Sequence, residues 1–537
     1  MVKDYYTRTE DIRPEDVLEY FVETQKDRQI IDQLKSPQPT ILVGSRGVGK
    51  SFLLRVAQQE LLHDIRKNGV LPVYITFSSS PLLQSLSNIQ FYSWMLTKVC
   101  SGISRAVSRA GLLVNIPKSL KTLAGGTISN GTESTPLESI QEQLEDAWRG
   151  EQTDVDTSKI PELEDIKDAI EDLVDALELK RVVLFIDEAA HIFLPRQQRL
   201  FFSLFRDLRS PFLACKAAVY PGVTSYGTDF QPIHDAAMVS AERDILGRDY
   251  IQNMREIVEK QADSDALRYI QTNQNNFATL AYAASGNPRI LLKTLIRAPR
   301  LSSSEVNQVI KDYYRSEAWS EHSTLSAKYQ GHTKLIDWGR NFIEQIVIPT
   351  LKRRNDERSE SEGATAFFWI HRDSPQFVQQ ALQILTYTGL ITETGVGLRS
   401  KSNEIGTRYT VNLGCLFSME SSPSASAPVI WHRFDIRRMI EFTQNHPSFA
   451  NCIDQNPTLE NDTVNRQALE DLLNKSIRQL DLTDWQKDTL ESITLRTIRS
   501  VLSATESDIQ KAYYVGEVRS RRIRNVAMAA IFEYLSG

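Results

Sequence analysis

Residues Gly44–Ser51 read GSRGVGKS, a glycine-rich turn closed by a lysine and a hydroxyl. The spacing GxxxxGK[ST] suits one chemistry. Glycines let backbone N–H groups turn inward around a polyphosphate, the lysine reaches the β- and γ-phosphates, and the hydroxyl coordinates magnesium. On this reading Gly44, Ser45, Arg46, Gly47, Val48, Gly49, Lys50, Ser51 and Phe52 contact ATP, and Ser51 also contacts Mg2+. LFIDEAA, at Leu184–Ala190, supplies the second half. Asp187 is expected to hold magnesium through water, and Glu188 to orient and deprotonate the attacking water. His191 is assigned to packing or surface, because Glu188 already fills the role of base. Phosphoryl transfer also draws on an arginine finger. Arg206, Arg209 and Arg243 are candidates for it, and none is preferred.

Such residues need a frame. PTILVG, just before the loop, reads as a short buried strand ended by glycine, and a helix follows from Lys50. Leu71–Ser80 and Cys215–Gly222 read as further strands, and Ala236–Arg243 as a fifth. Arg181–Glu188 is a continuous apolar run closed by two acids, as in a strand covered on both faces. Between these lie helical segments, 82–112 among them. In one, Leu163, Ile166, Ile170, Leu173, Val174 and Leu177 share a face. Alternating strands and helices predict a parallel, helix-covered sheet.

Composition bounds the partners. A chain of 537 residues predicts three or four domains. A net charge of −6 speaks against whole-surface nucleic-acid binding but leaves room for local basic patches. Four scattered cysteines, without a CxxC pair, suggest neither a disulfide framework nor a zinc site. No run approaches the roughly 18 apolar residues of a membrane span. The start, MVKDYYTRTEDIR, lacks a signal-peptide core. A cytoplasmic protein with no membrane partner is expected.

After the ATPase part, Ser374–Ile391 reads as a helix with Val378, Ala381, Leu382 and Leu385 on its apolar face. A hairpin follows. Helix plus hairpin is the pattern of a winged helix, which would put Arg399, Lys401 and Arg408 near DNA phosphates. The alternative is a winged helix used only for protein packing. Near the C-terminus, two helices flank a YVG turn. This resembles a helix-hairpin-helix element, with Tyr514 where its first glycine usually stands and Gly516 retained. From Arg496 to Arg524 there are seven basic and three acidic residues. Arg519, Arg521, Arg522 and Arg524 are expected to touch DNA phosphates; the rival reading pairs them with acids of a neighbouring domain or with a protein. LRTIRSVLSATESDI also resembles the start of the C-terminal domain found in the α chain of RNA polymerase.

The order GSRGVGKS, LFIDEAA, SGNPR and winged helix resembles the origin-recognition/Cdc-type initiator ATPases of the AAA+ class, over roughly residues 15–416. SGNPRILLKTL also resembles the sensor-two element shared with signal-transduction (STAND) ATPases. The resemblance implies ATP and Mg2+ as cofactors and ATP hydrolysis to ADP and phosphate. It makes Arg289 the second sensor, with Thr224 or Ser225 near the γ-phosphate as the first. The implied fold is an α/β AAA+ P-loop core with a helical lid, a winged-helix domain and an all-α C-terminal module. The divisions are an N-terminal helical lead (1–35), core (36–249, with a loose exposed insertion at 113–160), lid (250–320) and winged helix (330–418). A linker (419–428), a helical region (429–480) and the helix-hairpin-helix-like module (484–537) follow. With no evident arginine finger, hydrolysis is expected to be slow, or completed by a second copy of the chain. The expected function is a DNA-associated switch or loader. Resemblance to solitary bacterial members adds a mobile-element or antiviral defence setting. The alternative is a STAND-like signalling ATPase that binds a protein effector. A helicase motor fits less well, since one P-loop stands without a helicase motif series.

Overall fold

The computed structural model describes residues 5–77, 88–112, 118–126, 135–146, 155–189, 195–227, 229–328, 332–357, 362–452 and 470–535. Five strands form the first sheet: β1 (Thr40–Val43), β2 (Val70–Thr76), β3 (Arg181–Asp187), β4 (Leu213–Val219) and β5 (Ala237–Ser240). Their order is β2-β3-β4-β1-β5 and every pairing is parallel. The expected α/β core is therefore present. The order matters for the chemistry: β4 lies between the strand that leads into the glycine loop and the strand that ends in Asp187.

Both faces of this sheet are covered, which explains its uninterrupted apolar runs. Leu42, Val183, Phe185, Ala214 and Ala218 pack on one face with Leu53, Leu54 and Ala57 of helix Lys50–His63 and with Ile30, Ile31 and Leu34 of helix Gln25–Lys35. Ile41, Leu184, Ile186, Cys215 and Ala217 face the other way, toward helices Asn88–Arg109, Leu163–Ala176 and Pro195–Asp207. The alternation of neighbours such as Ile41 and Leu42 between the two cores is the period of two of a strand.

A third apolar core runs from the lid helices through the second sheet to the C-terminal helix Glu517–Leu535. The second sheet contains β6 (Phe367–His371), β7 (Ile391–Arg399), β8 (Ile405–Val411) and β9 (Met439–Phe442), in the order β7-β8-β6-β9. The β7–β8 and β6–β8 pairs are antiparallel and β6–β9 is parallel. The expected helix is Gln376–Thr388, with Val378, Ala381, Leu382 and Leu385 all buried.

Four expectations change. The described part of the insertion is not loose. Helices Lys118–Ala124 and Pro136–Asp146 bury Leu120, Leu123, Leu137, Ile140 and Leu144 in the second core, and residues 113–117, 127–134 and 147–154 lie outside the described set. The serine- and proline-rich linker is instead helix Pro423–Trp431, which buries Ala427, Ile430 and Trp431. Pro423 sits in its first turn, where the missing N–H costs nothing. The 429–480 region is not mainly helical in its described part, since it supplies β9. Among the described residues of the N-terminal lead, only Gln25–Lys35 is α-helix; before it the chain makes two short 3-10 turns, at Thr9–Asp11 and Pro14–Asp16. Among the described residues, no helix is long and apolar enough to cross a membrane.

Candidate nucleotide site

Beyond β1 the chain turns through Gly44–Gly49 into helix Lys50–His63. Gly47 and Gly49 have φ values of +91° and +101°, which side-chain-bearing residues rarely adopt. A Cβ on Gly49 would meet nothing within 4 Å, so the turn faces open space suited to a phosphate. One cavity is lined by Arg46, Gly47, Gly49, Lys50, Ser51 and Phe52 from the loop and helix, Glu188 past β3, Tyr220 past β4, and Pro288–Arg289 from the lid. Ligands of open parallel sheets sit at this edge, beyond the carboxyl ends of the strands.

Lys50 is buried, and its Nζ donates to the carbonyls of Gly44 at 2.6 Å and Ser45 at 3.0 Å. It also lies 3.8 Å from the ring centroid of Tyr220. Burial pulls its pKa down to about 7. Glu242, Asp187 and Glu188 oppose that fall, and Arg289 adds to it. Asp187 is buried at the end of β3, where its Oδ1 accepts the Glu188 N–H at 2.9 Å and its Oδ2 accepts the Tyr74 hydroxyl. The Arg55 guanidinium covers the Tyr74 ring at 3.3 Å. Glu188 has φ +54°, a left-handed conformation that costs a non-glycine residue about 1–3 kcal/mol and is enriched at functional sites. Burial raises its carboxyl pKa, with Asp187 and Glu10 adding to the rise and Arg46 and Lys50 opposing it.

Ser51 and Asp187 fit a magnesium ion that travels with a nucleotide. Mg2+ takes one or two protein oxygens and fills its shell with water and phosphate oxygens. Among the described residues no cluster of three or more His, Cys, Asp or Glu could hold a metal by itself.

The lid reaches the loop through Asn287. Its side chain accepts the Ile290 N–H, capping helix Pro288–Arg297, and donates to the Arg46 carbonyl at 2.7 Å. Arg289 Nε donates to the Thr7 carbonyl at 3.0 Å, and burial lowers its pKa. Residues Tyr6–Glu10 and Tyr20–Val22 form much of the remaining wall.

Residues 5–262 match the ORC-CDC6-like family. This segment is an ORC-CDC6-like domain. No curated protein matches the chain. Among solved structures, a Walker-type ATPase of Pyrococcus abyssi aligns at 15% identity and a TM-score of 0.40, covering 80% of this chain and 99% of its own. The ORC1 protein of Aeropyrum pernix, solved in complex with DNA, aligns at 14% identity and a TM-score of 0.30, covering 80% and 97% respectively. A variant of Thermotoga maritima RuvB aligns at 13% and 0.27, covering 74% and 95%. Likeness at these scores carries no functional weight.

Within the ORC-CDC6-like domain one expected contact moves. Thr224 does not line the cavity; its hydroxyl donates to the Tyr220 carbonyl at 2.6 Å. β4 ends at Val219, so Tyr220 is the first residue over the rim, and the turn beyond it carries Thr224 away. Gly44, Ser45 and Val48 shape the loop from behind, the first two by accepting from Lys50. Of the three finger candidates, only Arg243 lines the cavity. Its Nη1 donates to the Val48 carbonyl at 2.7 Å and its Nη2 lies 3.6 Å from Asp27, so it braces the loop of its own chain. Arg206 pairs with Asp207. Residues 190–194, with His191, lie outside the described set. The N-terminal wall and Tyr220 escaped the sequence reading because neither belongs to a spaced motif, and Asn287 because it fills the variable position of SGNPR.

The basic residues assigned to DNA separate into two groups. Arg399 and Lys401 are exposed at the β7–β8 tip, and half-buried Arg408 donates to the Thr394 hydroxyl at 3.2 Å. Arg519 is exposed; it donates to the Tyr514 carbonyl at 2.6 Å, and its guanidinium lies 5.3 Å from the Tyr514 ring and 5.6 Å from that of Trp485. Tyr514, standing where the hairpin glycine was expected, takes a φ of +62°.

The others are a correction. Arg521 is buried, its Nε and Nη2 donating to Glu506 at 2.9 and 3.0 Å, and its Nη1 donating to Asn445 at 2.7 Å. Arg522 binds both oxygens of buried Asp373 at 2.6 and 3.0 Å, and Arg524 is buried. Arg522, through Asp373, and Arg521, through Asn445, dock the C-terminal helix on the second-sheet unit, while Arg521 and Glu506 pair inside the C-terminal module. Arg521→Ala is therefore expected to destabilise the C-terminal module by about 3–5 kcal/mol, because Glu506 is left charged and largely buried. Urea unfolding followed by far-UV circular dichroism measures it. A change below about 1 kcal/mol would show that the pair is not structural.

Proposed function

We propose that the chain is a magnesium-dependent ATPase that turns over slowly and whose nucleotide state controls association with DNA. The carrying observation is convergence: Lys50–Ser51, Glu188 and Arg289, three segments far apart in sequence, line one cavity beside a glycine turn. In this reading Ser51 and, through water, Asp187 hold the magnesium ion, which supplies charge neutralisation between the β- and γ-phosphates. Lys50 binds the phosphates. Glu188, with its raised pKa and strained backbone, takes the proton of the attacking water. Arg289 leaves the Thr7 carbonyl to contact the γ-phosphate, a role that its position at the start of a helix supports. Slow turnover follows from the bracing of Arg243, which leaves this arginine committed to its own loop. The ORC-CDC6-like family supports a DNA-associated role, in which Arg399, Lys401 and Arg519 are the exposed cations. A setting in mobile-element or antiviral defence belongs to the same proposal and rests on resemblance alone.

DNA phosphate contacts release counterions, so log affinity falls with log salt by about 0.9 per contact on duplex DNA. Substituting Arg399, Lys401 or Arg519 by Ala is expected to flatten that slope by about one unit each. Fluorescence anisotropy of a labelled duplex across a salt series measures it. An unchanged slope in all three variants rejects these contacts.

One observation favours the second reading, a STAND-like signalling ATPase that docks a protein. Trp485, Tyr513 and Tyr514 are exposed around Arg519, and Trp, Tyr and Arg dominate protein-binding hot spots. No duplex binding at low salt, with nucleotide binding intact, selects this reading.

A further inference from the structure

Tyr220 touches both the phosphate-loop lysine and the unit that carries the hairpin and C-terminal helix. On one side, Lys50 Nζ lies 3.8 Å from its ring centroid. On the other, its ring meets Tyr387 edge to face, with centroids 5.5 Å apart at an interplanar angle of 75°. Tyr387 belongs to helix Gln376–Thr388. Two close backbone approaches reinforce this contact. A Cβ on Gly222, two residues past Tyr220, would lie 2.3 Å from the Gln383 carbonyl oxygen, and one on Gly389 would lie 3.8 Å from the Ser45 side chain. The C-terminal end of the helix thus rests against the phosphate loop and the turn after β4.

The N-terminal end of the same helix holds the C-terminal module. The Gln376 N–H donates to Asn525 Oδ1 at 2.8 Å, Asn525 Nδ2 donates to the Ser374 carbonyl at 3.1 Å, and Arg522 pairs with Asp373. Beyond Thr388 the chain enters β7 of the hairpin. One helix therefore joins the nucleotide loop to both places where exposed cations lie. Well-packed interiors shift between discrete arrangements rather than deforming smoothly, so movement at one end of such a helix is felt at the other.

We infer that Tyr220 is a positioning residue that holds Lys50 against the loop carbonyls and, through Tyr387, relays a shift of that lysine to helix Gln376–Thr388. The geometry gives the sequence of events. A β- or γ-phosphate competes with the Gly44 and Ser45 carbonyls and the face of Tyr220 for the Lys50 ammonium. Phosphate binding draws it off the ring. The ring then loses its cation partner and repacks against Tyr387. The inference rests on the nucleotide reading of the cavity and adds the route by which the site is heard elsewhere.

Hydrogen exchange over residues 376–411 tests it, on the full chain with magnesium, comparing no nucleotide, ADP and ATP, with binding of each nucleotide measured by calorimetry. Exchange in this stretch is expected to differ between the empty and nucleotide-bound states by at least about fivefold, the lower end of ordinary coupling between sites. Tyr220→Phe, which keeps the ring face and edge, retains the difference. Tyr220→Leu, held at nucleotide concentrations that calorimetry shows to saturate it, loses the difference. Tyr387→Leu breaks the relay from the outer side, and so gives the same loss over 391–411 without touching the cavity. Nucleotide binding with no exchange difference in the wild type overturns the inference, as does a difference that persists in either Leu variant. Absence of nucleotide binding in the wild type instead overturns the nucleotide reading itself.

Discussion

Replacing Glu188 by Gln lowers ATP turnover by about 10²–10⁴-fold and leaves ATP bound. That range is the usual contribution of a positioned general base. The amide preserves the shape of the side chain and the Glu188 N–H bond to Asp187, so the magnesium-side carboxylate stays in place. Among the described residues at the end of β3, it removes the carboxylate that lines the cavity. The raised pKa of Glu188 makes it a better base than an exposed carboxylate, and its φ of +54° fixes the direction in which it points. Phosphate release and nucleotide affinity are measured side by side. Turnover within about threefold of wild type would move the base elsewhere, residues 190–194 being the adjacent stretch.

Lys50→Ala weakens nucleotide binding by at least about 10–100-fold, the value of a lost hydrogen bond to a charged group. The wild type carries a pH signature of the same residue. Burial brings the Lys50 pKa down to about 7, and a bound phosphate raises it by favouring the ammonium form. Below about pH 7 the ammonium is present before binding, and this group adds no pH dependence. Above it, binding takes up a proton, and affinity falls by up to about tenfold per unit until the pKa of the bound state is reached. Calorimetric titration of ADP with magnesium from about pH 6 to about pH 9 shows this. A flat profile would mean that Lys50 stays charged in the empty cavity.

The loop and the acidic strand were legible because each is local. GSRGVGKS is contiguous, and VVLFIDE carries its burial and its two acids in one run. Tyr220 was hidden by an assumption about side chains. A strand end read by type predicts small polar residues near the γ-phosphate, whereas the strand between the two motifs delivers an aromatic ring at its rim. The C-terminal arginines misled for a different reason. Their partners are remote or lie on another element: Asp373 is 149 residues from Arg522, and Glu506 lies 15 from Arg521. A run of charge reads as a solvated patch unless the fold brings acids to it. The serine-rich stretch before Trp431 reads as a linker by composition, yet Ala427, Ile430 and Trp431 give it a buried side once helical.

The central claim is that nucleotide in this cavity controls DNA association. Its most direct test is duplex affinity of the Glu188→Gln chain at one fixed low salt, with saturating magnesium and either ATP or ADP. A difference of at least about fivefold between the two nucleotides is expected, abolished by adding Lys50→Ala. Equal affinity in ATP and ADP, with both nucleotides shown to be bound, would contradict it.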